Sequence, residues 1–260
     1  MNNRFRKPYK VKKKKSIFKN FYFWILVIGI TVSIFLFYFF CFHSFFQVKE
    51  IKVFDNEEVS CQEIISLLEK EIIRDILFWE SKSIFFVELK KSEERVLKEF
   101  PKIEEVSFGK DYPETITLFV KERKPVAIFE QEGRLFFLDK KGVVFKDASE
   151  KKDWLVIKSN EKRNVDFGSS LFEEEIMEKI LIAKEELVDS DINIVFFDII
   201  NYQRFNVLVE EGWEIYFNLE DDVVQQVLNL NLILEKEISP EKRDNLEYVD
   251  LRFGNQVYYK

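Results

Sequence analysis

The sequence predicts an α+β protein: one transmembrane helix, a compact strand–helix–helix–strand–strand unit, and a mixed α/β unit that closes on sheet. Three observations predict it. Residues 21–42 form an uncharged, aromatic-rich run. Downstream, apolar residues alternate between helical and strand spacing over one short unit. Beyond residue 123, brief β-branched and aromatic runs separated by charged turns enclose two longer helical stripes.

Residues 1–20 read as a basic cytoplasmic tail. Of the 40 Lys and Arg in the chain, nine lie before residue 43 with no acid among them, which leaves 31 cations against 47 acids and a net charge of −16 for the remainder. The run FYFWILVIGITVSIFLFYFFCF, residues 21–42, is long enough as a helix to cross the roughly 30 Å hydrocarbon layer. Cations before it and Glu50, Asp55, Glu57 and Glu58 after it orient the N-terminus to the cytoplasm and the bulk outside. Tyr22, Trp24 and Tyr38 suit the headgroup level near the ends of the run. Bulky Phe39, Phe40 and Phe42 around Cys41 argue against a cleaved signal peptide, which ends in small residues. Attraction to anionic lipid accounts for the basic tail.

Composition excludes several function classes. An acidic folded portion opposes nucleic-acid binding, which needs a basic face. The single histidine, His43, follows the apolar run and reads as an interfacial residue, so a histidine-based catalytic triad or multi-histidine metal site is not expected. Cys41 and Cys61 do not make a disulfide framework. No metal and no cofactor is expected.

After the run, Val48, Ile51, Val53 and Phe54 read as a strand ending at the turn pair Asp55 and Asn56. Ser60 with Glu63 makes a capping box for a helix carrying Ile64, Leu67, Leu68 and Ile72. SIFFVEL from Ser83 reads as a brief extended piece. Ser92 then caps a second helix with Val96, Leu97 and Phe100 inward, stopped by Pro101. Strands 103–108 and 115–120 follow about the turn Asp111, Tyr112 and Pro113.

With no Gly/Pro linker, VKERKPVA carries the chain into the second unit as a semi-rigid joint. Short strands are expected at Ile128 and Phe129, 135–138, 143–145 and 155–157, with Asp139 and Gly142 about a tight hairpin. A helix over 171–188 has Ile176, Ile180 and Leu187 on one stripe, and strands 194–200, 205–209 and 214–217 come next. Asp221 begins a helix with Val223, Val227, Leu230 and Leu234 on its inner face, ending near Pro240. The last segment, LEYVDLRFGNQVYYK, reads as two strands about Gly254 and Asn255.

Several of these residues carry a family resemblance. VKEIKVFDNEEVSCQEI, PKIEEVSF and above all DYPETITLFVKERKPVAIF, with Tyr112, Pro113, Glu122, Arg123, Pro125, Val126 and Ala127 in register, resemble the membrane-proximal POTRA domain of FtsQ/DivIB bacterial cell-division proteins. LFFLDKKGVVF from Leu135 and the closing YVDLRF resemble the same family. Domains follow: a POTRA-like unit over 45–122 and an FtsQ/DivIB-type β domain over 123–260.

The resemblance implies a non-catalytic scaffold of the septal cell-wall machinery, in the cytoplasmic membrane at the division septum, holding FtsB/FtsL-type partners and other divisome membrane proteins. It implies a C-terminal sheet edge that accepts a partner strand. By position, Arg252 and Phe253 are the contacts, with Val257, Tyr258 and Tyr259 as an aromatic edge and Arg204 a weaker match. Phe253 stands where the family often has Tyr, which removes a hydroxyl. On the bland alternative, Arg252 simply pairs with a nearby carboxylate and the tyrosines cover the core. Competing functions are a POTRA-bearing protein of envelope assembly or secretion, although no internal repeat or barrel pattern is present, and a membrane-anchored wall hydrolase using carboxylates such as Glu104 and Glu105 or Asp221 and Asp222.

Overall fold

The computed structural model describes residue 18 and residues 20–243 and 245–260. The basic tail expected over 1–20 falls mostly outside the described residues.

Helix α1 (Phe21–Phe42) is the apolar run, and its 22 residues give about 33 Å of helix. Asn20 caps it, its side chain accepting from the Tyr22 N–H. The two aliphatic hydroxyls inside the run return their hydrogen bonds to the helix, Thr31 to the Val27 carbonyl and Ser33 to that of Gly29, so neither needs water. His43 caps the following 3-10 turn (Ser44–Phe46), its Nδ1 accepting from the Phe45 N–H.

By packing, the chain divides into two compact units. The first holds α1 and its exit turn with residues 69–88 and 109–117; the second holds 53–68, 89–108 and everything from Leu118 on. A three-stranded sheet has the order β1 (Glu50–Phe54), β5 (Thr115–Glu122), β4 (Ile103–Asp111). Helix α2 (Cys61–Glu71) buries Ile64 and Leu68, and α3 (Leu89–Glu99) buries Val96, as their amphipathic spacing requires.

Two local expectations are corrected, and one element is new. Between the helices lies a hairpin of β2 (Arg74–Ile76) and β3 (Trp79–Ser81) that the sequence pattern did not announce. SIFFVEL is not a strand: Ser83 makes one isolated bridge to Gln47 and the chain then turns. Ser92 is a buried residue inside α3, which begins one turn earlier at Leu89.

The second unit is built on a nine-stranded sheet. In chain order its strands are β6 (Ala127–Gln131), β7 (Arg134–Leu138), β8 (Val144–Asp147), β9 (Val156–Ser159), β10 (Ile194–Asn201), β11 (Arg204–Val209), β12 (Glu214–Asn218), β13 (Tyr248–Phe253) and β14 (Gln256–Tyr259). In space they run β14-β13-β12-β11-β10-β9-β6-β7-β8. Hairpin neighbours are antiparallel, while β6/β9, β9/β10 and β12/β13 are parallel. Parallel neighbours need a crossover: the chain passes through β7 and β8 between β6 and β9, through α4 (Glu174–Asp189) between β9 and β10, and through α5 (Val223–Lys236) between β12 and β13. Both helices share one core with the sheet: Met177, Ile180 and Leu187 from α4 and Val223, Val227, Leu230 and Leu234 from α5 meet Phe197, Phe205, Ile215 and Phe217. Asp222 caps α5 by accepting from Val224 and Gln225. Pro240 is not the stop of α5. That helix ends at Lys236, and Pro240 instead opens the short α6 (Pro240–Arg243), a first-turn position where its missing N–H costs nothing.

Candidate functional site: the open edge and aromatic face of the sheet

The carboxylates weighed for hydrolysis carry structural jobs. Glu104 is ion-paired with Lys121 and Lys141, Asp221 accepts from Asn218, and Asp222 is the helix cap. The ER–PV segment is equally structural. Glu122 accepts the N–H groups of Glu57, Glu58 and Val59 at 2.8–3.0 Å, fixing the loop before α2. Arg123 donates to the Pro101 carbonyl and to Asp139, whose other oxygen accepts from the Lys141 and Val143 N–H groups. This closes the hairpin at Gly142, whose φ of +73° suits glycine. Nearby, Lys146 and Lys102 bond Glu58 and hold its carboxyl down at about 2.

The C-terminal strands differ. Residues on β11, β12 and β13 that turn away from the helices assemble an aromatic and cationic cluster. Tyr216 stacks on Tyr248 with ring centroids 5.0 Å apart and planes within 11°. The Arg204 guanidinium lies 4.2 Å from the Tyr216 ring and that of Arg252 lies 5.6 Å from it. Asn206 links the cluster across the sheet, accepting from Arg204 and donating to Glu214.

Arg252 also grips Asp250 with two side-chain bonds of 2.8 and 2.6 Å. Burial pushes the Asp250 carboxyl up, but the Arg252 side-chain and backbone bonds outweigh it and leave it below the ordinary value. The same pairing raises Arg252. Further along the face, burial and then Glu214 push Asp198 up, and its Oδ1 is buried without a hydrogen-bond partner. Tyr216 is raised by the same two causes.

The strand β14 ends the sheet. Lys260 exchanges hydrogen bonds with Tyr248, so the backbone groups of alternate residues point inward there, and those of Val257 and Tyr259 turn outward. Phe253, Tyr258 and Tyr259 are exposed. The Phe253 and Tyr258 rings meet edge to face at 5.2 Å. Val257 is partly buried against the core, and Tyr259 lies opposite Val249. The structure therefore brings Arg204 and Arg252 together over Tyr216, and Phe253 beside Tyr258, while Val257 belongs to the opposite face. Sequence reasoning missed Tyr216 and Tyr248: they are 32 residues apart and meet only through a parallel pairing.

Comparison with known proteins bears on this arrangement. Residues 46–123 match the FtsQ-type POTRA domain family. Along most of its length the chain is also similar to three proteins named cell division protein DivIB. It is 24% identical to that of Clostridium tetani over 243 residues, covering 90% of this chain and 85% of the relative. It is 25% identical to that of Clostridium botulinum over 260 residues, covering 95% and 93%, and 25% identical to that of Clostridium acetobutylicum over 224 residues, covering 82% and 83%. Together these matches support the FtsQ/DivIB family for this chain. The matches support a role in cell division, and among the described residues α1 is the one helix long and apolar enough to cross a membrane. Of the residues on which the resemblance rests, Tyr112 and Pro113 form the turn between β4 and β5, while Glu122 and Arg123 fasten the chain between β5 and β6.

Proposed function

We propose that this FtsQ/DivIB protein is a non-catalytic scaffold whose β14 edge takes up a short strand of an FtsB/FtsL-type partner. The observation that carries it is the position of β14 at the end of the nine-stranded sheet, with the backbone groups of Val257 and Tyr259 turned outward. An incoming strand satisfies those groups, and side-chain contacts add selectivity. Arg252, Phe253, Tyr258 and Arg204 lie on the face beside the edge, and aromatic residues with arginine are favoured interface anchors. Arg252 has two duties here, since it also neutralises Asp250.

We place the N-terminal tail in the cytoplasm and the folded bulk outside, at the division septum, as the charge asymmetry about α1 favours. We also place a domain boundary at residues 122/123. It is supported by β5 ending at Glu122 and the large sheet beginning at Ala127.

The test is partner capture by the full chain in membranes, using the extracytoplasmic segment of an FtsB/FtsL-type protein as probe. Removing residues 250–260 should abolish capture, and Val257→Pro, which deletes one outward donor, should weaken it while thermal unfolding stays near that of the parent. Undiminished capture by both variants would refute strand addition at this edge. Midcell localisation of a fluorescent fusion checks the septal placement.

A further inference from the structure

We propose that the β2–β3 hairpin is a second membrane contact: its tip inserts into the interfacial zone of the leaflet from which α1 emerges. The inference rests on α1 as a membrane span and not on strand addition at β14. The hairpin lies in the same compact unit as α1. Its two-residue turn, Leu77 and Phe78, and the following Trp79 expose 71, 90 and 63% of their surface. Three consecutive large apolar side chains at the tip of a short hairpin cost solvation in water and need a cover.

The observation that names the cover is where the hairpin is fastened. A helix end leaves its last carbonyls unpaired, and here the hairpin strand and its neighbours pair them. Ser81 donates to the Cys41 carbonyl at 2.5 Å, Gln47 donates to the same oxygen at 2.9 Å, and Ser83 donates to the Phe40 carbonyl at 2.7 Å. Gln47 in turn accepts from the Lys82 N–H. The Trp79 ring packs against Phe42, the last residue of α1, at 6.0 Å.

Trp79 is therefore held beside the final turn of the apolar helix, where the hydrocarbon gives way to headgroups. Tryptophan, amphipathic through its ring N–H, is favoured at that depth. Phe85 extends the same surface, contacting Phe40 and Phe46 on one side and stacking on Tyr112 on the other. The apolar surface of the tip is thus continuous with that of α1. Asp75 and Glu80, paired across the hairpin, stay outside the tip and set the depth to which it can sink. A helix alone leaves a domain free to tilt and spin above a bilayer, whereas a second contact fixes its azimuth. The consequence is a defined presentation of the unit to other membrane proteins.

The test uses the full chain in phosphatidylcholine vesicles, with Cys41→Ala and Cys61→Ser removing the native thiols. A nitroxide at Phe78→Cys is compared with one at Phe35→Cys, inside α1, and one at Tyr202→Cys, in an exposed turn of the other unit. Collision with oxygen should exceed collision with a water-soluble nickel chelate at Phe78, as at Phe35, and the order should reverse at Tyr202. Leaving the tip intact, lipids brominated near the headgroup should quench a share of tryptophan emission that disappears in Trp79→Phe. An aqueous signature at Phe78 with a lipid signature at Phe35 overturns the proposal. So does protection at Phe78 that vanishes on dilution with lipid, which would assign the tip to a second copy of the chain. An aqueous Phe35 would remove the span itself and the inference with it.

Discussion

The two ends of the nine-stranded sheet are treated in opposite ways. At the β8 end the chain covers its own edge. Val144 donates to the Ser169 carbonyl, Gly168 donates to the Val144 carbonyl, and Leu171 donates to that of Gly142, so the segment 168–171 satisfies the outer backbone at the start of the strand. At the β14 end nothing among the described residues performs that service, and aromatic side chains stand exposed around it. An uncovered strand edge invites pairing with other chains, and proteins usually blunt it. That contrast between a covered and a bare edge is what the proposal of strand addition at β14 rests on.

Substitutions can break or sharpen that contrast. The largest effect is expected at Gly142→Val, which removes the turn from which the cover at the β8 edge is built. The added Cβ would lie 2.3 Å from the Phe172 carbonyl oxygen at a positive φ, so chemical denaturation should report a loss of about 3–4 kcal/mol.

A matched proline pair comes next. Val144→Pro removes the bond to Ser169 at the covered edge and should cost about 2–3 kcal/mol of stability with partner affinity per folded molecule unchanged. Val257→Pro should do the reverse, weakening capture by about tenfold, or 1.4 kcal/mol, while stability moves by no more than about 0.5 kcal/mol. Equal behaviour of the two variants would erase the distinction between the edges.

Smaller still is Arg252→Ala. It leaves Asp250, whose side chain is only 8% exposed, without its cation, and denaturation should report a loss of about 1–2 kcal/mol. Capture should fall as well, because the same guanidinium faces Tyr216 beside the open edge.

The smallest effect is a pH dependence. Glu58 and Asp250 both have folded-state values below their ordinary ones. Each therefore adds stability above its unfolded-state pKa and loses that contribution as pH falls through the folded one. For Glu58 the window runs from the usual 4.5 down to about 2. Unfolding curves at pH 6 and pH 3 should differ, and Glu58→Gln should reduce the difference slightly, since an exposed pair is screened by solvent.

Much of the molecule was legible as local pattern. The apolar span, the stripes of α4 and α5, the Tyr112–Pro113 turn and the final hairpin at Gly254 each depend on residues near one another in the chain, so spacing and turn chemistry sufficed. The second family of features was not legible for the opposite reason. The β2–β3 hairpin has strands of three residues, too short for alternation to register. Ser92 looked like a cap because its neighbours were polar, yet α3 starts a turn earlier and turns that residue inward.

By itself the amino-acid sequence determined the membrane-crossing helix, the α+β class and the aromatic strand that closes the chain, because burial periodicity and turn preference are short-range properties. Only the tertiary structure decided that β14 ends the sheet, that β8 is covered by residues 168–171, and that Arg204, Tyr216, Tyr248 and Arg252 share one face. Strand order and parallel pairing through α4 and α5 are set by how two helices and nine strands bury one common core. That is a balance among residues far apart in the chain, which no local pattern encodes.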